Sequence, residues 1–184
     1  FSERTRKLEC LDLPDKVYET VEVTMPPNQQ KYYDTMRQQA ITVLEEGDCT
    51  PVNVLSQMVR LHQISCGHVV VDDGTIVRTS NFRLTVLMEI IEDLPDDSKV
   101  IIWATYRDDI RVIVEELEDI YGKSVVQYHG IQSEDRAHRI GQTNKVTYID
   151  LICRKTVDEK IVSSLTNKKS IASSVLGDQW KDWI

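Results

Sequence analysis

The run KVIIWA at residues 99–104 constrains the fold of this chain more than any other stretch. It is apolar, bounded by polar residues and preceded by a helical pattern, which is typical of a strand buried on both faces of a parallel sheet. A helical stripe through Ile110, Ile113 and Leu117 and a second strand-like run at 124–128 follow it. This alternation of helix and strand predicts a doubly wound α/β domain.

The first part of the chain predicts smaller elements beside such a sheet. Alternating residues over 16–25 favour a strand with one buried face, and two amphipathic helical patterns then cover about 27–66. His62 lies among their apolar residues, which favours a core or boundary histidine over a catalytic one. Valine-rich stretches on both sides of Asp73 and Gly74 predict a hairpin, because Asp-Gly supplies the positive backbone angles of a tight turn.

The later elements follow from capping signals and periodicity. A helical pattern covers 80–94, and Thr105 is expected to cap the next helix. Residues 145–153 predict a strand, after which Thr156 and Glu159 have the spacing of a capping box that begins another helix.

Composition excludes several classes of protein. The chain has 184 residues, of which 41% are hydrophobic, and its net charge is -8. That charge excludes a protein that coats nucleic acid with a basic surface, so any DNA contact is expected to be local. The four cysteines are widely separated and form no C-x-x-C pair, so we expect neither a disulfide framework nor a metal site, and a reducing intracellular compartment fits best. No apolar run approaches the ~18 residues of a membrane span.

Residues 135–142 read DRAHRIGQ and contain two arginines three apart. On a helix Arg136 and Arg139 would share one face, so both guanidinium groups could converge on one anionic group such as a nucleotide phosphate. Arginine suits this role because its charge is permanent and its planar fork can grip two phosphate oxygens. A surface ion-pair helix is the alternative for an isolated R-x-x-R, but the eight residues together are far more specific.

The run DRAHRIGQ resembles the sixth helicase motif of the Swi/Snf-like ATPases, a branch of helicase superfamily two. The run RKTVDEKI at 154–161 is similar to the segment that follows that motif, and residues 13–36 resemble the entry into the second lobe of these proteins. The resemblance implies a RecA-like three-layer α/β domain with a mostly parallel sheet over 16–184. It also implies a helical pair and hairpin as an N-terminal insertion, with the helical part at about 27–66, and a connector from a first lobe at 1–15.

The same resemblance implies roles for individual residues. Arg139 would be the arginine finger, and Arg136 and Gln142 would contact the nucleotide. KVIIWATYRDDI and YHG are similar to the family's fourth motif and its companion, which implies that Thr105, Tyr106, His129 and Gly130 lie against a DNA strand. ATP and magnesium would be bound mainly by the first lobe of the same protein, and the other partner would be double-stranded DNA, with no membrane.

Two parts of the family pattern are missing from this sequence. Between Gly130 and Arg136 the chain has only residues 131–135, where the family has a helix and the strand and loop of the fifth motif. Either that section has been lost, or residues near 130–132 are omitted from a sequentially numbered chain. We favour omission, because deleting a central strand would expose apolar surface and unpaired backbone. The chain also has no G-x-x-x-x-G-K-[ST] run and no acidic D-E-A-H-type segment, so we expect it alone to be inactive as an ATPase.

The leading hypothesis is therefore the second ATPase lobe of a double-stranded DNA translocase. A non-catalytic protein-interaction module that retains the fold is one alternative, and the lobe of an RNA helicase is another, although Gly141 and Gln142 argue against the latter. The compact lobe and its end at Ile184 favour a phage or bacterial protein in the cytoplasm, with a nuclear location if the source is eukaryotic.

Overall fold

The structure, a computed structural model, describes residues 16–46, 50–71, 73–126 and 146–166. The helices and strands in this part of the chain are β1 Lys16–Val23, α1 Pro27–Glu46, α2 Pro51–Ser65, β2 His68–Val70, β3 Ile76–Arg78, α3 Phe82–Glu92, α4 Arg107–Tyr121, β4 Val146–Cys153 and α5 Val157–Thr166, with a short 3-10 helix at Gly122–Ser124. The predicted connector at 1–15 and the predicted omission near 130–132 lie outside the described residues. None of the helices described is both long and apolar enough to cross a membrane.

The chain divides into two compact units. The first comprises Phe1–Val21 and Asp97–Asp150, and the second comprises Glu22–Asp96 and Leu151–Ile184. In the described part, β1 and β4 form one two-stranded sheet, and β2 and β3 form another. The chain passes from the first unit to the second within β1, returns to the first between Asp96 and Asp97, and enters the second again within β4.

The two predicted helices near the start of the second unit are present. Pro27 and Pro51 each occupy the first helical position, where the missing N–H costs nothing and the fixed φ suits the helix. The side chain of Thr50 caps α2 by accepting a hydrogen bond from the backbone N–H of Asn53 at 3.3 Å. That the pair is an insertion into the lobe stays a prediction.

The core of the second unit lies between α1, α2 and the junction of β4 with α5. Its buried residues are Met25, Tyr33, Ala40, Leu44, Val54, Met58, Leu61, Ile64, Cys153 and Val157. Buried Gln29 on α1 donates from its side-chain amide to the carbonyl of Ile64 at 2.5 Å, which satisfies a backbone acceptor near the end of α2.

A glycine connects α2 to the hairpin. Gly67 has φ +93°, and its carbonyl accepts the backbone N–H groups of Thr79 and Ser80 at 2.8 and 3.2 Å. A Cβ added at Gly67 would lie 2.2 Å from the carbonyl oxygen of Ser80. The hairpin therefore returns to the end of α2 at a distance that only glycine permits.

The hairpin follows the sequence prediction. β2 and β3 are antiparallel, with His68 opposite Arg78 and Val70 opposite Ile76. In the turn, the Asp73 carboxylate accepts the backbone N–H of Thr75 at 2.8 Å, and this hydrogen bond lowers the pKa of Asp73.

The predicted buried strand at 99–104 is wrong. The structure assigns no strand there, and the side chains of Val100, Ile101 and Trp103 are 45%, 49% and 52% exposed. An apolar run becomes a buried strand only where neighbouring strands pair with its backbone and packed elements cover its faces, and within the described residues no strand pairs with it. The strand predicted at 124–128 is also absent over 124–126, where the chain leaves a 3-10 helix, and 127–128 lie outside the described residues.

Helix α4 of the first unit begins later than its predicted cap. Its N-cap residue is Tyr106, with an extended backbone at φ -108° and ψ 143°, and no side chain caps it, so Thr105 is not the N-cap. Two acidic residues in the first turn, Asp108 and Asp109, instead interact favourably with the helix dipole. Of the predicted helical stripe, Leu117 is buried, and Ile110 and Ile113 are half-buried.

Candidate functional site

The structure locates two of the predicted site residues. Thr105 is exposed and Tyr106 is half-buried, and they precede α4 directly. The carbonyl of Tyr106 accepts the backbone N–H of Ile110 at 3.1 Å in the first turn of that helix. These two predicted DNA-binding residues are thus neighbours at the start of α4, where the Thr105 side chain is accessible to a ligand.

The other predicted site residues lie outside the described residues. They are His129, Gly130, Arg136, Arg139 and Gln142. Their proposed contacts with DNA and nucleotide remain predictions.

A buried polar cluster that the sequence did not predict lies in the second unit. It consists of Asp158 on α5, Ser65 and His62 on α2, and Arg83 on α3, and we call it the Asp158 cluster. The Ser65 hydroxyl donates to Asp158 Oδ1 at 2.7 Å, and His62 Nε2 lies 3.8 Å from the same oxygen. Arg83 pairs with Asp158 Oδ2 through its Nη2. Three side chains from two other helices therefore meet at the carboxylate of Asp158.

Burial makes the ion pair of this cluster sensitive to the loss of either partner. The side chain of Asp158 is 4% exposed and that of Arg83 is 19% exposed. Burial, the largest single influence, would lower the pKa of Arg83, but the Asp158 carboxylate together with Cys66 and Cys153 outweighs it and the pKa is raised, so the guanidinium stays charged. Removing one partner would leave an uncompensated buried charge, which is strongly destabilising.

The same two charged residues also bind the backbone at the carboxyl end of β4. Arg83 Nη1 donates to the carbonyl of Leu151 at 3.4 Å, and the backbone N–H of Cys153 donates to Asp158 Oδ2 at 3.1 Å. The end of the strand is therefore held by one donor and one acceptor from outside it.

The start of α5 is capped in a way that differs slightly from the predicted capping box. The Thr156 hydroxyl oxygen accepts the backbone N–H of Asp158 at 3.2 Å, and the Glu159 carboxylate accepts the N–H of Lys155 at 3.1 Å. In a capping box Glu159 would accept the backbone N–H of Thr156, whereas here it accepts that of the preceding residue. A long-range contact completes the cap, because the backbone N–H of Val157 donates to the hydroxyl of Tyr33 at 3.0 Å.

The sequence contained a weak signal for the Asp158 cluster. Arg83 stands in the first turn of a largely apolar helix, and Asp158 follows the buried Val157. Charged side chains next to apolar residues are rarely buried unless they are paired, so residues of opposite sign in such positions are candidates for a buried pair. Nothing local indicates that the two residues meet, because they are 75 positions apart. The prediction that His62 is a core or boundary residue agrees with the structure, since its side chain is 16% exposed.

Sequence comparison finds similarity over a short segment. No family model matches the chain. A segment of 46 residues is 50% identical to the chromatin-remodeling ATPase INO80 of Mycosarcoma maydis and 46% identical to that of Arabidopsis thaliana, and 45 residues are 44% identical to the human protein. The match covers about a quarter of this chain, and 2–3% of the length of these relatives.

Structural comparison extends over most of the chain. The Sulfolobus solfataricus SWI2/SNF2 ATPase core in complex with dsDNA matches with a TM-score of 0.63 and 23% identity, covering 89% of this chain and 46% of that one. The C-terminal domain of the Sulfolobus solfataricus SWI2/SNF2 ATPase matches with a TM-score of 0.61 and 19% identity, covering 88% of this chain and 90% of the domain. These neighbours confirm the predicted fold class, a RecA-like α/β domain with a mostly parallel sheet, and the predicted likeness to a Swi/Snf-type C-terminal lobe.

Proposed function

We propose that this chain, which has the fold of the C-terminal lobe of a Swi/Snf-like ATPase, works as the second ATPase lobe of an ATP-dependent translocase on double-stranded DNA. The observation that carries the proposal is the structural likeness to a single domain of such an ATPase, which spans 88% of this chain and 90% of that domain. The similarity of a 46-residue segment to chromatin-remodeling ATPases supports it independently.

The chemistry of the proposed lobe depends on the run at 135–142. Arg139 is the arginine finger, which reaches nucleotide bound by the first lobe and stabilises the negative charge that develops on the transferred phosphoryl group. Arg136 makes a second phosphate or interface contact, and Gln142 completes the nucleotide-binding face. ATP and magnesium are held mainly by the first lobe, which is the chief protein partner.

DNA binding by this lobe is local. Thr105 and Tyr106, together with His129 and Gly130, contact one DNA strand. The accessible side chain of Thr105 before α4 is compatible with a hydrogen bond to a phosphate oxygen, which is how hydroxyl side chains commonly bind DNA. The structural neighbour solved with dsDNA supports a duplex substrate.

Because the relatives similar in sequence are chromatin-remodeling ATPases of fungi, plants and animals, a nuclear location is favoured over a phage or bacterial one.

The decisive experiment substitutes Arg139 by alanine in the complete protein. ATP binding should persist, because the first lobe holds the nucleotide, while DNA-stimulated hydrolysis should fall by roughly 10³ or more, as expected for an arginine finger. Arg111→Ala is a matched control, because Arg111 is an exposed arginine that pairs only with Asp108 and Glu115 on its own helix among the contacts described. Unchanged turnover in Arg139→Ala would refute the assignment.

The nucleic-acid substrate is tested separately by stimulation of the ATPase. Duplex DNA should raise turnover of the complete protein, and RNA of the same sequence should not. Stimulation by RNA alone would identify an RNA helicase lobe. A complete protein with no ATPase activity, but with a partner that binds the lobe, would identify a protein-interaction module.

A further inference from the structure

We propose that Trp103, Thr105 and Arg107 form one accessible row that binds the sugar-phosphate backbone of a single DNA strand, in which Arg107 contacts a phosphate and Trp103 packs against a neighbouring sugar. The inference rests on the proposed function, since it takes duplex DNA as the substrate. It adds Trp103 and Arg107 to the proposed DNA contact at Thr105. All three residues lie in the first compact unit.

The row is visible in the exposure of residues 101–107. Every odd-numbered residue in this stretch is exposed, and every even-numbered residue is half-buried. A period of two is the pattern of an extended chain with one accessible face. Tyr106 has an extended backbone, with φ -108° and ψ 143°, so the side chains of Thr105 and Arg107 lie on the same side of the chain.

Arg107 is an exposed arginine whose charge is not used within the protein. No ion pair or hydrogen bond of its side chain occurs in the part of the chain that the structure describes. Arg111, one turn later on α4, instead pairs with Asp108 and Glu115, each at 2.8 Å. Arg107 also occupies the first helical position, where the helix dipole repels a cation. Neither pairing nor helix stability accounts for an arginine here, whereas binding of a phosphate does.

The acidic residues in the same helical turn are less accessible than Arg107. The side chain of Asp108 is 8% exposed and is paired with Arg111, and Asp109 is half-buried. Arg107 is therefore the exposed charge of this turn. An arginine beside a hydroxyl suits the DNA backbone, because both side chains donate hydrogen bonds to phosphate oxygens. A contact of this size also agrees with the net charge of -8, which restricts DNA binding to a local surface.

Trp103 provides an apolar surface next to these two donors. Its side chain is 52% exposed, although burial of so large an aromatic side chain is strongly favourable. The four residues from Trp103 to Arg107 span at most about 14 Å. One B-DNA strand rises about 3.4 Å per nucleotide, so this span corresponds to roughly four nucleotides. The row can therefore contact neighbouring sugars and phosphates of a single strand.

Contact between two copies of the chain is the competing explanation. Val100, Ile101 and Trp103 are exposed apolar residues, and an exposed apolar run can pair with the same run of a second copy. This explanation gives no role to Arg107. It predicts that Trp103→Ala weakens self-association, measured by sedimentation of the complete protein at several concentrations, without a change in the affinity for DNA.

The experiment measures the Kd of the complete protein for a short labelled DNA duplex by fluorescence anisotropy at several salt concentrations. Arg107→Ala should raise the Kd roughly 10-fold and reduce the slope of log K against log salt by about 0.9, since one phosphate contact is lost. Trp103→Ala should raise the Kd about threefold or more but leave the slope unchanged, because an apolar contact releases no counterion. Trp103→Phe should lie between Trp103→Ala and the wild type.

Lys123→Ala is the matched control. Lys123 is another exposed cation with no side-chain partner among the described residues, and it lies beyond the C-terminal end of α4. Its removal changes the net charge as much as Arg107→Ala does, but the Kd and the salt slope should equal those of the wild type. The Tm of Arg107→Ala should not fall, because the substitution removes a cation from the N-terminus of a helix.

ATPase assays of the same variants separate failure of this inference from failure of the proposed function. The effect of Arg107→Ala should appear in the duplex concentration needed for half-maximal stimulation, whereas Arg139→Ala should bind duplex normally and lose hydrolysis. A wild-type Kd in Arg107→Ala, or an equal loss in Lys123→Ala, would overturn the inference and leave the proposed function in place. Weaker self-association of Trp103→Ala with an unchanged Kd would assign the row to contact between copies. Failure of the wild-type protein to bind duplex would remove the proposed function and the inference together.

Discussion

The hydroxyl of Tyr33 on α1 accepts a hydrogen bond from the backbone N–H of Val157, 124 residues away, at the first position of α5. Both side chains are almost fully buried. Because the first N–H groups of a helix have no partner within the helix, this hydroxyl satisfies a donor that burial would otherwise leave unpaired. The contact ties α5 to the helical pair at the start of the second unit.

Substituting Tyr33 by phenylalanine should therefore destabilise the chain with little change in shape. The buried N–H of Val157 would lose its acceptor, which costs about 1–3 kcal/mol in the free energy of unfolding. Tyr32→Phe is the matched control, since Tyr32 is adjacent in sequence but 38% exposed, and its effect should stay within about 0.5 kcal/mol. Urea unfolding followed by circular dichroism measures both variants. Equal midpoints for the two would show that the Tyr33 hydroxyl contributes nothing.

Local signals in the sequence predicted the first two helices and the hairpin well. Pro27 and Pro51 begin α1 and α2 within the predicted helical region at about 27–66, and the Asp-Gly turn joins β2 and β3 as expected. Each of these signals acts within a few residues, through the fixed φ of proline or the positive φ of glycine. The sequence therefore contained the information needed for these elements.

Contacts between distant residues explain what the sequence did not predict. The run at 99–104 was expected to be buried, but burial depends on neighbouring strands that its own pattern does not specify. Ser65 and Arg83 meet Asp158 across 93 and 75 positions, so no spacing rule connects them. The capping signal at Thr156 was recognised, whereas the contribution of Tyr33 to the same helix start required the structure.

Gly67 provides a test of the close approach between α2 and the hairpin. Gly67→Ala should lower the free energy of unfolding by roughly 2–5 kcal/mol, because it adds a strained positive φ and a clash with the Ser80 carbonyl. Gly74→Ala is the control, since Gly74 also has a positive φ, of +84°, but a Cβ added there would meet nothing within 4 Å, and it should cost only about 1–2 kcal/mol. Chemical denaturation of both variants measures the difference. Equal losses would mean that the hairpin can shift to make room.

The buried thiol of Cys153 predicts a loss of stability at alkaline pH. Burial raises the pKa of Cys153 from 9.0 to about 11, with Arg83 partly opposing the shift. The unfolded chain then loses the thiol proton first, so stability that is complete below about pH 9 declines as the pH rises towards 11, by roughly 1–3 kcal/mol. Burial also raises the pKa of Tyr33, which adds to the decline at the upper end of this range.

Cys153→Ala isolates the contribution of the thiol to this decline. The variant should be less stable than the wild type at pH 8, because a core side chain is truncated, but its free energy of unfolding should fall less between pH 8 and pH 10.5. Urea unfolding at both pH values gives the difference directly. The same decline in variant and wild type would assign the alkaline sensitivity to other groups.

The 184-residue chain alone should not hydrolyse ATP, because it contains neither a glycine-rich phosphate-binding loop with its lysine nor an acidic magnesium-binding segment. Two arginines can stabilise charge on a transferred phosphoryl group, but they neither hold a metal ion nor place the attacking water. Release of phosphate from magnesium ATP, with and without duplex DNA, measures this, with the complete protein as the positive control. Turnover by the purified chain that chelation of magnesium abolishes would mean that it contains an ATP site of its own, and Arg139 would then act on nucleotide bound within the same lobe.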